Sequence, residues 1–515
     1  MTSNQSTRAA LNRAQTARLN LTASALVTLL LLFGLALGQR ADRSEPNHNS
    51  AEKHLTSRLE RSIPSLMDQG DIPGLSIALI SDGKVSWSRG FGFKNSETKE
   101  AVDDDTVFEA ASLSKPVFAY AVLKLVDKGN LDLDTPLTKY LPSQDAKYDV
   151  GNDPRLDQIT ARRVLSHTTG FPNWRPRGDK ELKIFFTPGD RFSYSGEGFV
   201  YLAKIVEQIS GETLDTFMKR TVFEPLGMNS SSYVWRSEYD SRKTFAHNSL
   251  GLLSERGKPE RANAAASLHT TATDYARFVC AIIRGTGLKP QTARLMLTPQ
   301  ISVGEAGPNS LDRPGAPLSP AISWGLGWGL EKSGEGTAFW HWGDNGDAMA
   351  YVMAFDKQRT GMVMFANSSS GLSIIRELVA ETLGGQHPAV SWINYERYNA
   401  PARLMFKAIV KSDAETVLSE YRKRRESNTK DLALTESQMN RLGYQLLGLK
   451  RVKDAIEIFK QNTVDFPAAF NTWDSLAEGL MVSGNKELAI KYYKKSLELN
   501  PENTNAVQKL KELGL

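Results

Sequence analysis

Cysteine is almost absent. Cys280 is the only one in 515 residues, so no intramolecular disulfide can form and cysteine-ligated zinc is excluded. It sits in the apolar run FVCAII and reads as a core residue. Histidine is scarce as well. The seven histidines, at 48, 54, 167, 247, 269, 341 and 387, lack metal-ligand spacing. No metal or cofactor is therefore implied, and no G-x-S-x-G, H-E-x-x-H or G-x-x-x-x-G-K segment occurs. A large excess of either charge is missing too. There are 63 basic and 58 acidic residues, a net +5 that gives no reason to expect a nucleic-acid partner at this length. Acidic residues are absent from the first 40 positions, where Arg8, Arg13, Arg18 and Arg40 lie.

That acid-free start leads into a near-continuous apolar run, Leu21 to Gly38. Ala36 and Gly38 offer small residues at signal-peptidase spacing, which reads as an export signal. The 18 residues are also close to the minimum for a membrane span, so a retained anchor with its basic end inside fits equally. Either way the remainder is expected outside the cytoplasm, on the periplasmic or extracytoplasmic face.

The length suggests two to four units, and 40% hydrophobic with 23% charged residues is globular composition. QRADRSEPNHNS (39–50) reads as a polar linker. GLSIALI (74–80), the turn SDGK and VSWSRGFG (85–92) read as a β-hairpin. A helix is predicted from about Ser112 to Asp127, with Gly129 near its stop. Two late β-rich runs, AMAYVMAFD (348–356) and GMVMFAN (361–367), flank the turn KQRT. Strands at both ends with helices between predict an α+β fold, its antiparallel sheet closed by distant parts of the chain.

After residue 395 the texture is helical and charged. Leu442, Gly443, Ala455, Ile456, Phe459 and Pro467 recur 34 residues later as Leu476, Ala477, Ala489, Ile490, Tyr493 and Pro501. That period, with small residues at helix contacts and a closing proline, is the tetratricopeptide signature. Trp473 takes the expected early position, where the first repeat has Met439. A final helix is expected near 504–513, and a preceding helix opening at Ser412 with Glu415 as a capping box completes the stack.

The central chemical motif is Ser112-Leu113-Ser114-Lys115. Residues three apart share one helix face, so a serine at the helix start and a lysine one turn on can share a hydrogen bond. The helix N-terminus favours developing negative charge, and a desolvated lysine can take the serine proton. The pattern alone is weak. S-x-x-K also occurs at Ser50, Ser81, Ser96, Ser427 and Ser483, and Ser112 by itself could equally be a helix N-cap. Only Ser112, however, opens an apolar helix after a strand-like run, and Pro116 falls in the tolerant first turn.

Two further segments follow in order. Tyr194 precedes an amphipathic helix in PGDRFSYSGEGFVYLAKIVEQISG (188–211), and WGLGW (324–328) precedes FWHWGDNG (339–346). Together with DIPGLSIAL (71–79), VLSHTTG (164–170), FEPLGM (223–228) and TATDYARF (271–278), these segments resemble the serine β-lactamase, D-alanyl-D-alanine carboxypeptidase and esterase superfamily, in particular its class C-like branch. The resemblance covers roughly 60 to 370. It implies Ser112 as nucleophile, Lys115 as its activator and Tyr194 as a proton exchanger. It also implies a substrate-binding wall at His341 and Gly343, with Gly343 admitting substrate backbone. The oxyanion hole would use backbone N–H groups of Ser112 and Asp344. Tyr194, His341 and Trp324, Trp328, Trp340 and Trp342 also suit plain core packing.

One position departs from the family pattern. The second motif usually reads Y-x-N, and here it is Tyr194-Ser195-Gly196. The family's asparagine contacts the lysine and the substrate amide, so Gly196 is expected to open space and to weaken recognition of β-lactams and peptides. The expected organisation is a signal peptide or anchor (1–40), a linker (41–60), a hydrolase domain (61–390), a helical connector (391–432) and a tetratricopeptide domain (433–515). The expected function is hydrolysis of an ester or amide through a Ser112 acyl-enzyme, the substrate being a small molecule or peptide. The repeats would engage a protein partner. The competing expectation is a catalytically weak binding module that the repeats recruit to an envelope complex.

Overall fold

The computed structural model describes residues 48–141, 150–176, 178–255, 257–311, 313–426 and 434–515. The Leu21–Gly38 run lies outside them. Among the described residues no helix is long and apolar enough to cross a membrane.

The expected linker over 41–60 needs correction, because helix His48–Gly70 occupies its second half. Leu55, Leu59, Ile63, Leu66 and Met67 recur at helical spacing beneath the polar composition. Ile63, Leu66 and Met67 are buried.

The sheet is built as the sequence predicts, from both ends of the first domain. Strands β1 (Gly74–Ser81) and β2 (Lys84–Gly92) form the hairpin, and β3 (Phe108–Ala111) follows. Two short strands, β4 (Ala246–His247) and β5 (Leu253–Ser254), pair with each other, and β6 (Leu268–Thr270) pairs with β3. The late strands are β7 (Ile301–Gly304), β8 (Leu318–Trp324), β9 (Gly329–Ser333), β10 (Gly336–Asp344), β11 (Met349–Phe355) and β12 (Thr360–Ala366). The main sheet has eight antiparallel strands in the order β2-β1-β12-β11-β10-β9-β8-β7. Asp82 and Gly83 form a two-residue hairpin turn with φ of 49° and 66°, the left-handed pair that matches strand twist. β1 pairs with β12 in the register Ile77↔Met364, so the first strand is held by the last. Every residue of β11 is buried, because helices cover both faces. Helix Ala272–Arg284 packs on β1, β2 and β12, and helix Ile375–Leu383 packs on β12.

Helices Pro401–Lys411, Ala414–Glu426, Glu436–Gly448, Val452–Asp465, Phe470–Val482, Lys486–Leu499 and Thr504–Glu512 share a second apolar core. The period-34 positions Leu442 and Leu476, Ala455 and Ala489, and Phe459 and Tyr493 are all buried there. Gly443 is small for a reason: a β-carbon there would lie 2.2 Å from the Phe459 ring. The expected cap at Ser412 is corrected to Asp413, whose carboxylate accepts from Thr416 N (2.8 Å) and Thr416 Oγ1 (3.0 Å). The Ser412 hydroxyl is instead donated back to Ala408 O at 3.0 Å. Buried Arg403 ties this helical region to the sheet domain, donating to Gly70 O, Asp71 Oδ2 (3.0 Å), Ser249 O and Ser370 Oγ.

Candidate active site

Ser112 stands in the turn between β3 and helix Ser114–Asp127, two residues before the regular helix begins. Ala111 just before it adopts φ 49°, a left-handed conformation that costs a non-glycine residue roughly 1–2 kcal/mol. Such a turn persists only if its surroundings hold it, and they do. Ser114 Oγ donates to Ala111 O (2.6 Å) and accepts from Leu268 N (3.0 Å). Tyr275 donates to Leu113 O (2.9 Å), and Tyr233 to Ser114 O (2.6 Å). Both tyrosines are fully buried. Neither stood out in the sequence as a support of this turn, although Tyr275 lies inside the segment TATDYARF.

Lys115 lies on the first helical turn, and its Nζ is hydrogen-bonded to Ser112 Oγ at 2.9 Å. Nζ also donates to Ala265 O at 2.8 Å. Its other neighbours are rings: those of Tyr194, Phe199 and Trp174 have centroids 4.7, 5.8 and 6.0 Å from Nζ. Among the described residues no carboxylate pairs with it, and burial pushes its pKa well below the ordinary lysine range.

Tyr194 lies before helix Gly196–Ser210, which Ser195 caps by accepting from Gly198 N at 3.1 Å. The Tyr194 ring packs among aromatics, stacked on His167 at 4.3 Å and near Trp342 at 4.8 Å and Trp324 at 6.1 Å. Its buried hydroxyl faces Ser112 but falls short of hydrogen-bond geometry. Burial raises the phenol pKa, the Ser112 hydroxyl partly opposes this, and the Asp344 charge adds to it.

His341 on β10 is fully buried, with Nδ1 donating to Trp342 O at 2.7 Å. Burial pushes its pKa down to about 3, and protonation of Lys115 would lower it further, so the ring is neutral and Nε2 keeps an unshared lone pair. Its ring centroid is 5.9 Å from that of Tyr194. His167, from VLSHTTG, also packs on the Tyr194 ring. Its Nδ1 accepts from Ser195 N at 3.0 Å, its Nε2 is unpartnered, and burial and Lys115 hold it uncharged. Nothing in one sequence distinguished His167 from a packed core residue.

Gly343 admits a close approach, but its partner is the protein itself. A β-carbon there would meet Ala110 O at 2.4 Å and Ala111 Cβ at 3.3 Å, so β10 lies directly against the Ser112 turn. The Asp344 carboxylate accepts from Gly346 N (2.8 Å) and from the Tyr395 hydroxyl. Asn345 links the turn to β3 and to the loop that binds Lys115, donating to Glu109 Oε1 and, at 3.1 Å, to Ala266 O. Trp324, Trp328 and Trp340 are completely buried and belong to the core.

The expectation that Gly196 opens space is corrected. A β-carbon at Gly196 would lie 2.8 Å from Trp174 Cη2 and 2.9 Å from Asn173 O, because the indole edge of Trp174 already fills that position. The site thus brings Ser112, Lys115 and Tyr194 together, with Gly343 behind them and Trp174 beside them. It is a hydroxyl bonded to a desolvated amine and faced by a phenol, the arrangement of a serine acyl-transfer centre.

Known proteins agree with this class. The Beta-lactamase family model matches residues 59–381. Protein flp of Staphylococcus aureus is 23% identical over 375 residues, covering 68% of this chain and 70% of its own. Penicillin-binding protein 4 of Amycolatopsis lactamdurans is 26% identical over 341 residues, covering 62% and 87%. Among solved structures, the octameric penicillin-binding protein homologue from Pyrococcus abyssi superposes with a TM-score of 0.53 at 23% identity, over 68% of this chain and 81% of that one. The D-alanine carboxypeptidase AmpC from Burkholderia cenocepacia gives 0.50 at 21% identity, over 62% and 95%. The chain belongs to the Beta-lactamase family, whose members are serine hydrolases.

Proposed function

We propose that this chain is an exported serine hydrolase that forms an acyl-enzyme on Ser112 with an ester or amide substrate. The observation that carries the reading is the 2.9 Å contact between Ser112 Oγ and the buried Lys115 Nζ. An uncharged amine there accepts the Ser112 proton as Oγ attacks the substrate carbonyl. The developing oxyanion is taken by the backbone N–H groups of Ser112 and Asp344. Tyr194, with its raised pKa, is a proton donor at neutral pH; it protonates the leaving group and takes a proton back from the Lys115 ammonium. The tetrahedral centre then collapses to acyl-Ser112, and a water molecule releases the acid and restores the Ser112 hydroxyl.

An ester is the favoured substrate. The names of the relatives point to D-alanyl peptides and β-lactams as amide candidates, but the carboxamide of the usual second motif is replaced by Gly196. The basic and apolar leader supports export, by cleavage or as an anchor. The 34-residue period supports a tetratricopeptide module for a protein partner.

Intact-mass labelling with a fluorophosphonate tests the central step. One adduct is expected, on Ser112, and Ser112→Ala should abolish it. Labelling that survives the substitution refutes the assignment. Failure of the wild type to label favours instead a binding module recruited through its repeats.

A further inference from the structure

The segment holding Trp174 is stitched to the start of helix Gly196–Ser210 residue by residue. Ser195 Oγ donates to Pro172 O at 2.9 Å. Gly196 N donates to both Asn173 O and Asn173 Oδ1 at 3.0 Å, and Glu197 N to Asn173 O at 3.1 Å. On the far side, Arg175 N and Arg175 Nε both donate to Glu197 Oε1 at 3.1 Å. Trp174 is therefore fixed from both flanks. Its ring edge seats on the bare Cα of Gly196, its centroid is 6.0 Å from Lys115 Nζ, and 44% of the residue stays exposed. Lys115 in turn touches Ser112. A rigid apolar plane thus stands at the mouth of the site, and the only residue type that leaves room for it at position 196 is glycine.

We propose that Trp174 determines the acyl-group preference of this site, selecting substrates that present an apolar acyl chain where an amide-reading carboxamide would otherwise stand. The proposal rests on the hydrolase reading above. An apolar acyl chain gains by covering the indole, whereas a substrate amide loses water against the ring face without an oriented carboxamide at position 196 to replace it. Trp174 and Gly196 act as a pair. Restoring Asn at 196 while the indole remains forces a clash with the ring and with the Asn173 carbonyl.

The test uses the full-length chain, with fluorophosphonate labelling of Ser112 as an independent control. In the wild type, kcat/KM should rise at least about fivefold from p-nitrophenyl acetate to p-nitrophenyl butyrate, below the roughly tenfold or more that one methylene gains in a closed pocket because the Trp174 plane is partly exposed. W174F should keep that rise. W174A should erase it, lowering butyrate by about tenfold and acetate by less than about threefold. A flat acetate-to-butyrate series in the wild type overturns the proposal without any variant. A W174A protein that labels at the wild-type rate yet keeps the butyrate preference also overturns it, and leaves the hydrolase reading intact. Absence of labelling in the wild type removes both.

Discussion

Replacing Lys115 by Met tests the protonation state on which the proposed chemistry depends. The side chain is of similar length, so packing is largely retained, while the amine and its bonds to Ser112 Oγ and Ala265 O are lost. Burial sets the pKa of Lys115 well below its ordinary 10.5. The unfolded chain therefore binds a proton that the folded chain does not, at every pH between the lowered value and 10.5. In that window wild-type stability rises with pH by about 1.4 kcal/mol per unit from this one group. Below it the penalty of burying the amine is constant, and above 10.5 it has vanished. The Met variant carries no such term. Lost hydrogen bonds cost it about 1 kcal/mol each, but that loss does not change with pH. The difference in unfolding free energy, wild type minus variant, should thus climb by about 1.4 kcal/mol per pH unit across the window between the lowered value and 10.5. Urea unfolding at three pH values measures it, and groups elsewhere cancel in the difference. A pH-independent difference would mean that Lys115 is charged in the folded protein, and Lys115 could not then be the base that takes the Ser112 proton. Lys115→Met should in any case abolish acyl transfer.

Gly343→Ala should cost about 1–3 kcal/mol and lower Ser112 labelling sharply, because the added methyl meets the Ala110 carbonyl and displaces the turn; unchanged melting and labelling would contradict the close approach. Tyr395→Phe removes the hydroxyl that Asp344 accepts, so kcat should fall about three- to tenfold with KM nearly constant; an equal change in KM would assign Tyr395 to substrate contact instead. Truncation after residue 432 should aggregate or melt early, since Met405, Phe406, Ile409 and Leu418 share a core with Met439 and Leu442. Truncation after Ala400 keeps Trp392 and Tyr395 and should leave ester turnover within about threefold, under 1 kcal/mol in the barrier. Loss of turnover from a folded product of that cut would show that the helical region belongs to the site.

The departures from expectation share a pattern. The helix from His48 was hidden because its apolar residues are sparse among charges, and the composition of 39–50 reads as a linker up to residue 50. Ser412 and Asp413 are both good caps, and only the competing Ala408 carbonyl decides between them. Gly196 reads as a gap because a missing side chain is visible in the sequence, whereas the indole that fills it comes from a segment 22 residues earlier.

The sequence by itself determined the α+β class, the sheet built from both ends of the first domain, and the order of the three motifs. These depend on local spacing: alternation and apolar runs for strands, three-residue separation for Ser112 and Lys115, a 34-residue recurrence for the last helices. Tertiary structure decided what surrounds each motif residue. The desolvation of Lys115, the ring stack around Tyr194, and the support of the Ser112 turn by Tyr233 and Tyr275 all join segments separated by some 30 to 160 residues. So does the Asp344–Tyr395 bond, which reaches past the family-matched region. Burial and charge at a site are sums over neighbours in space, and no local pattern in the chain encodes them.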